Sequence, residues 1–282
     1  MYPLPMPIRV AFLGPQGTFG ECAAHALVRL ENLNDAELVA HQGLSTVVEQ
    51  LAAGHCDAAV IPVENSVEGG VAASLDALWA YPGLGIRHSI LLPIRHALLS
   101  SGEILEISEV LSHPQALAQC SNWLAAHLPQ ALQLPTSSTA EAARLVVGSR
   151  FRAAIASRAA GSKNGLAELA YPVNDVAGNC TRFLLLQRGI RRNGGDVASL
   201  AFSLRRNAPG ALLQALSCIA AQRLNMRRIE SRPSKREFGE YIFFIDLEFT
   251  ADNGDAMHKL LEGLHPLCEH LLNFGIYPST EI

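Results

Sequence analysis

Charge is scarce in this chain, and the basic side holds no surplus. Charged residues make up 17% of the 282, and the formal net charge is −4. Neutralising a phosphate backbone takes a clustered excess of lysine and arginine, so a general nucleic-acid binder is excluded. One basic stretch runs from Arg223 to Arg236, but Glu230 interrupts it and Glu237 and Glu240 follow, so it reads as a solvated face. Long hydrophobic runs are also missing. None approaches the roughly 18 apolar residues that a membrane-spanning helix needs. The opening "MYPLPMPIRV" has three prolines and no apolar core of the secretory kind, so the cytoplasm is the expected compartment and no membrane partner is expected.

Metal and cofactor signatures are absent as well. The six cysteines form no CxxC pair and read as free, mostly buried thiols, because a chain of this length needs no disulfide staples. The ten histidines form no HExxH. His265, Cys268 and His270 do cluster in "HPLCEH", but helical spacing would turn His270 away from the other two, and no metal site is expected. The glycine-rich "GPQGTFGE" (14–21) is neither GxGxxG nor a P-loop, since no lysine follows its second glycine. No cofactor is expected.

What the chain does have is apolar residues: 49% are hydrophobic, enough for a large core, and the length suggests about two domains. "IRVAFLG" (8–14) reads as a buried strand, and a helix follows with Thr18 available as its cap. Further strands are read at "AELVAHQG" and "CDAAVIPVENS", with helices at "STVVEQLAAG" and "GGVAASLDALWA". This alternation argues for a mostly parallel sheet with helices on its faces. "LGIRHSILLPIRHALLS" breaks the rhythm with two extended runs around Pro93, as expected where a chain crosses between lobes. Alternation then resumes to "NCTRFLLLQ", a strand placed to return to the first lobe.

The expected architecture is therefore two α/β lobes around a central cleft. Lobe one takes about 1–86 plus 180–190, lobe two about 87–179, and domain one ends at 190. "RRNGGDVA" (191–198) has the composition of a linker. Beyond it, residues 191–282 give the order β-α-β-β-α-β of a ferredoxin-like unit. Asn207 and Pro209 are read at the start of its first helix, and its second helix is read through "DAMHKLLEGLHPLCEHL".

Polar loops at strand exits are where open α/β sheets bind ligands. "VENSVEGG" (63–70) offers Asn65. "SHPQALAQC" (112–120) offers Ser112, read as a cap ahead of Pro114, and Gln119. "PTSSTAE" offers Ser138 and Thr139, with Glu141 at capping-box distance from Ser138. "GNCTRF" places Thr181 and Arg182 at the mouth of an apolar strand. Each loop alone is also an ordinary turn.

Taken together, "FLGPQGTFGECAA", "IPVENSVEGGV", "LPIRHALL", "SHPQALAQC", "STAEAA", "AAIAS" and "NCTRFLLL" make the chain resemble the prephenate dehydratases. The tail resembles the regulatory ACT domain of that family through "PGALLQAL" and "NMRRIESRP". The resemblance implies a two-lobed catalytic domain like the periplasmic binding proteins, followed by a ferredoxin-like ACT domain. It implies loss of CO2 and water from prephenate to give phenylpyruvate in phenylalanine biosynthesis, with no cofactor or metal. It implies that Thr181 acts on the departing hydroxyl and that Asn65, Ser112 and Gln119 bind substrate, with Thr18, Ser138 and Thr139 beside them. Arg182 could clamp a substrate carboxylate or brace the loop through an ion pair, and the clamp is preferred.

In the tail, the resemblance places an L-phenylalanine site at Gly210, Ala211, Leu212, Asn225, Glu230, Ser231 and Arg232. It lies where two such units pair, which implies a homodimer or homotetramer and feedback inhibition. No chorismate mutase segment precedes residue 8, so a monofunctional enzyme is expected. Gly20, Gly70 and Ser89 depart from the residues usual in the family. The rival readings are an arogenate dehydratase and a non-catalytic amino-acid sensor. "TRF" favours the enzyme, since a sensor has no need of that hydroxyl.

Overall fold

The computed structural model describes residues 7–33, 35–189, 191–250, 253 and 255–282. Most of the N-terminal stretch read for a targeting signal lies outside them. No helix among the described residues is long and apolar enough to cross a membrane.

The first lobe opens with β1 (Arg9–Leu13), α1 (Phe19–Leu30), β2 (Glu37–His41), α2 (Leu44–Ala52), β3 (Ala58–Asn65), β4 (Gly69–Gly70), α3 (Ala72–Ala80) and β5 (Leu84–Pro93). The second holds β6 (Ala97–Ser100), β7 (Glu109–Ser112), α4 (Pro114–Ala118), α5 (Ser121–His127), β8 (Leu132–Pro135), α6 (Thr139–Leu145), β9 (Arg152–Ala156), α7 (Arg158–Asn164) and β10 (Ala167–Ala170). The chain then returns along β11 (Cys180–Arg188). The C-terminal unit follows: β12 (Val197–Leu204), α8 (Ala211–Ala221), β13 (Met226–Pro233), β14 (Tyr241–Glu248), α9 (Ala256–Leu264) and β15 (Cys268–Tyr277), with a last strand β16 (Ser279–Glu281).

Three sheets result. The lobe-one sheet runs β16-β5-β11-β3-β1-β2 with β4 beside β3, the lobe-two sheet β10-β6-β9-β7-β8, and the C-terminal sheet β13-β14-β12-β15. The fold is α/β, a two-lobed body whose chain returns to the first lobe along β11, plus a βαββαβ ferredoxin-like unit.

Several expectations need correction. The lobe-one sheet is mixed, not mostly parallel, because β11 enters antiparallel between β3 and β5. β5 belongs wholly to lobe one, so the crossing falls at 94–96 and not near 86. The tail does not end within its own unit, since β16 adds parallel to β5. Helix α9 stops at Leu264, just before Pro266, and "CEHL" belongs to β15. His265 and Cys268 are therefore not helix neighbours, and no group of metal-ligating side chains occurs among the described residues. In α8 the cap is Gly210, while Asn207 bonds the Gly239 carbonyl at 3.0 Å. His113, not Ser112, caps α4. All six cysteines are free, three of them buried, and burial pushes the Cys120 thiol up to about 12.

The three departures from the family pattern each have a local cause. A Cβ at Gly20 would stand 2.7 Å from the Leu13 carbonyl oxygen. One at Gly70 would run into the Glu230 carboxylate, which reaches across from β13. Ser89 is fully buried and bonds Ser279 of β16 at 2.7 Å, tying the C-terminal strand to lobe one.

The lobes meet at Gly17. Its φ is +89°, its carbonyl accepts a 2.6 Å bond from Ser157 of lobe two, and a Cβ there would lie 3.3 Å from Ala160. Gly17→Ala is expected to cost about 1–2 kcal/mol through the left-handed backbone. Because the added methyl presses on the lobe contact, it should also lower kcat/KM. Thermal melting together with steady-state kinetics checks both; a variant unchanged in both would show that the contact is slack.

Candidate functional site

Thr181 sits where three strands end. It pairs with Asn65, the last residue of β3, and with Leu92 near the end of β5. The preceding loop is stitched to lobe one and to the crossing segment. Cys180 and Ser66 exchange two bonds of 2.9 Å, and Ile94 N–H donates to the Asn179 carbonyl at 2.8 Å.

The two sides of the sheet are unequal in kind. On β11, Phe183 and Leu185 pack with α1, while Leu184 and Leu186 pack in the core shared with the C-terminal sheet. Strand alternation therefore puts Thr181 on the α1 side and Arg182 on the C-terminal side. On β3, simple alternation would put Asn65 on the Arg182 side. A bulge prevents this: Arg182 pairs with Glu64 but Phe183 with Pro62, leaving Val63 as the extra residue. Bulges re-aim side chains in this way, and Asn65 comes to face Thr181.

The contact is close and its polarity is determined. Asn65 Oδ1 accepts from the backbone N–H of Val67 at 2.9 Å and of Glu68 at 3.0 Å. That fixes the amide orientation, so Nδ2 faces three oxygens: Asn179 Oδ1 at 2.8 Å, Thr181 Oγ1 at 2.9 Å and the Cys180 carbonyl at 3.2 Å. The Thr181 hydroxyl thus receives a hydrogen bond and keeps its own proton to give.

The network continues into lobe two. Asn179 Nδ2 donates to Gln119 Oε1 at 2.9 Å, and Gln119 Nε2 donates to Glu68 at 3.3 Å. His96 Nε2 approaches Gln119 Oε1 at 3.4 Å, and the ring packs edge-on against Phe19. Burial pushes the His96 imidazole down to about 4, so it is neutral near pH 7. Asn65, Gln119 and Thr181 are brought together. Asn179 and His96 join them, although neither stood out in the sequence; Asn179 lay in plain view two residues before Thr181.

The other candidates are placed differently. Ser112 is fully buried and spends its proton on the Ile155 carbonyl at 2.6 Å. Thr18 caps α1, accepting from Glu21 N–H at 3.4 Å and donating to the Pro15 carbonyl at 3.0 Å. Ser138 caps α6, accepting from Glu141 N–H at 3.0 Å, and Thr139 is that helix's first residue. The Glu141 carboxylate turns to Ser137, not to the Ser138 backbone, so the capping box is half formed.

Arg182 is not in the cleft. Its guanidinium pairs with Asp246 of β14 at 2.5 Å. This corrects the preferred carboxylate clamp to the alternative of an ion pair. The reason is strand parity: consecutive residues cannot both face one side.

The effector candidates are split within one chain. Ala211 and Leu212, just after Gly210, line a cavity of about 270 Å³ with Arg205, Asn207, Tyr241 and Glu269. Asn225 lies at the opposite end of β13 and bonds Glu248 at 2.9 Å. Glu230 bonds Arg228, Arg232 reaches Asp76 of α3 at 3.3 Å, and Ser231 is exposed.

The sequence model of the prephenate dehydratase family matches residues 10–191, the two lobes and the strand that carries Thr181. The chain belongs to the prephenate dehydratase family. The prephenate dehydratase of Lactococcus lactis subsp. cremoris (strain MG1363) is 35% identical over 284 residues, covering 98% of this chain and all of the relative. A solved prephenate dehydratase from Arthrobacter aurescens, in complex with L-Phe, is 36% identical with a TM-score of 0.86, over 96% of this chain and 90% of that one. A structure of GqqA, described as a novel type of quorum quenching acylase, has a TM-score of 0.80 at 25% identity, over 96% of this chain and 98% of that one. The fold therefore hosts more than one activity, and the residues of the cleft decide which chemistry it carries.

Proposed function

We propose that this protein is a carbon-oxygen lyase that converts prephenate to phenylpyruvate, with Thr181 as the donor to the departing ring hydroxyl. The observation that carries the reading is the Asn65 amide bonded to Thr181 Oγ1, which leaves the hydroxyl proton free. In the reaction the ring carboxylate leaves as CO2, and its bonding pair enters the ring. The ring carbon–oxygen bond breaks, and the hydroxyl leaves as water by gaining a proton through Thr181, whose oxygen regains one from solvent. Threonine is too weak an acid to be ionised at rest. Its donation strengthens as charge builds on the leaving oxygen, which is where catalysis is needed. Neutral His96 and the amides of Gln119 and Asn179 supply a polar wall without a fixed charge. Ser112, Thr18 and Ser138 support this wall by holding a strand end and two helix starts in place, and Thr139 remains a proposed substrate contact.

L-phenylalanine is the proposed inhibitor, taken up where Gly210, Ala211 and Leu212 of one ferredoxin-like unit approach β13 of another, in a homodimer or homotetramer. The split of these residues within one chain supports a two-chain site. The cytoplasm is the proposed compartment.

The test is phenylpyruvate formation from prephenate, with arogenate assayed in parallel, at zero and millimolar L-phenylalanine. Turnover of prephenate that phenylalanine suppresses is the expected result. Preference for arogenate would move the substrate assignment, and turnover blind to phenylalanine would remove the effector. A folded protein inert on both substrates would return the amino-acid sensor reading.

A further inference from the structure

Two neighbouring pairs, Glu64–Asn65 on β3 and Thr181–Arg182 on β11, each divide their side chains between the faces of one sheet. Asn65 and Thr181 meet in the cleft. Arg182 and Glu64 meet on the reverse, under the C-terminal sheet. There Asp246, 4% exposed, holds Arg182 Nη2 at 2.5 Å and Arg228 Nη1 at 3.5 Å, and accepts from the Ser199 hydroxyl. Glu64 lies 3.9 Å from Arg182 and 3.6 Å from Arg228, which also bonds Glu230. Burial alone would raise the Asp246 carboxyl; Arg182 and then Arg228 outweigh it and hold the group below its ordinary value. It is ionised near neutrality.

Such a cluster is a poor adhesive. Apolar residues of the same volume in a buried ion pair's place are often as stabilising or more so. The packing around it, with Leu184, Leu186, Phe244 and Phe274, is already apolar. What an ion pair adds is directed geometry, and it stands directly behind the two residues whose alignment the reaction needs.

We propose that Asp246 is a positioning residue for the dehydration site: it fixes Arg182, and with it the mouth of β11, so that the Thr181 hydroxyl meets the Asn65 amide. The proposal rests on the role given to Thr181 above. It also gives the C-terminal unit a route to the cleft. Arg228 and Glu230 of β13 belong to the cluster, and Glu230 lies over Gly70, beside the β3 exit. A shift of β13 against lobe one would change the partners of Arg182 and Glu64, one residue from the chemistry.

The test is Asp246→Asn in the full-length protein. Small misplacements of catalytic groups cost up to about 100-fold, so kcat on prephenate should fall roughly 10- to 100-fold. KM should stay within about threefold, because His96 and Gln119 of the substrate wall lie outside the loosened segments. Amide hydrogen exchange at 64–68 and 178–182 should quicken. Asp76→Asn breaks a different contact between the same two units, the Arg232 and Lys235 pairs, and should leave kcat unchanged. If Asp246→Asn does not fold, the paired variant Arg182→Met with Asp246→Leu decides, since it keeps the interface apolar and filled. A positioning role predicts that it folds and remains slow. Full kcat in either folded variant, or wild-type exchange at both segments, overturns the proposal. If the wild type itself ignores prephenate, the reading of Thr181 fails separately, and the exchange data still report on the coupling.

Discussion

Thr181→Val is expected to lower kcat on prephenate by about 10²- to 10⁴-fold, the usual worth of one positioned proton donor. Valine matches threonine in shape, so the loss would be chemical and not steric. The fold should tolerate the change well. Thr181 accepts one bond from Asn65 Nδ2, and that amide keeps Asn179 Oδ1 and the Cys180 carbonyl as acceptors. The stability cost should stay near 1 kcal/mol. Thr181→Ser restores the hydroxyl on a side chain that rotates more freely, and should recover most of the rate. KM should change little in either variant if the hydroxyl acts chiefly on the departing group in the transition state. Single-turnover measurement of phenylpyruvate, with melting curves for each variant, would check this. A folded Thr181→Val enzyme with near-normal kcat would take Thr181 out of the mechanism.

Much of this arrangement can be read from the sequence, because local and global signals agree. Val197–Leu204 is a mostly apolar run that follows Gly194, Gly195 and Asp196, and it forms β12 over those residues. Thr18 stands three residues before Glu21 at the head of an apolar-periodic segment, and it caps α1. The joint appearance of Asn65, Gln119 and Thr181 in loops at strand exits pointed to one cleft, and these three do converge.

What was missed has physical reasons. The separation of Arg182 from Thr181 follows from the two-residue period of a strand and needed no structure; the expectation of a clamp overlooked it. The bulge at Val63 leaves a weaker trace, Pro62 inside a central strand, where proline is tolerated mainly at bulges. The partner of Arg182 could not be inferred, because Asp246 is 64 residues away in a unit whose docking depends on tertiary packing. The same holds for β16, three residues whose place is set by Ser89 and His88 of lobe one. The end of α9 misled for another reason. Leu264, Leu267 and Leu271 satisfy helical spacing across Pro266, and the burial of Cys268 in a strand overrides it.

Asn65→Asp would probe the polarity of the site more sharply than removal of the side chain. The change is nearly isosteric. One carboxylate oxygen would keep the two bonds from Val67 and Glu68 N–H. The other would face the Asn179, Cys180 and Thr181 oxygens that Nδ2 now serves. Two of those three are pure acceptors: the Asn179 oxygen would be left without a donor, at about 1–3 kcal/mol, and the Cys180 carbonyl would keep only the Ser66 N–H. The third, the Thr181 hydroxyl, would turn to donate to the new carboxylate, and its proton would no longer be available to the substrate. At neutral pH, kcat should therefore fall about as far as in Thr181→Val, by some 10²-fold or more.

The pH dependence separates this account from simple damage. Surrounded by acceptors, the introduced carboxyl should have its pKa raised in the folded state. Its protonated form can donate to one of those oxygens. A group whose folded pKa is raised favours the folded state most below its unfolded pKa, and that advantage is lost as pH rises through the folded pKa. The variant should thus be most stable, and least impaired relative to wild type, in mild acid. The ratio of variant to wild-type kcat, followed downward from pH 8, should climb as the carboxyl protonates. A ratio that stays flat would mean that Asn65 holds the loop without setting the direction of the Thr181 hydrogen bond.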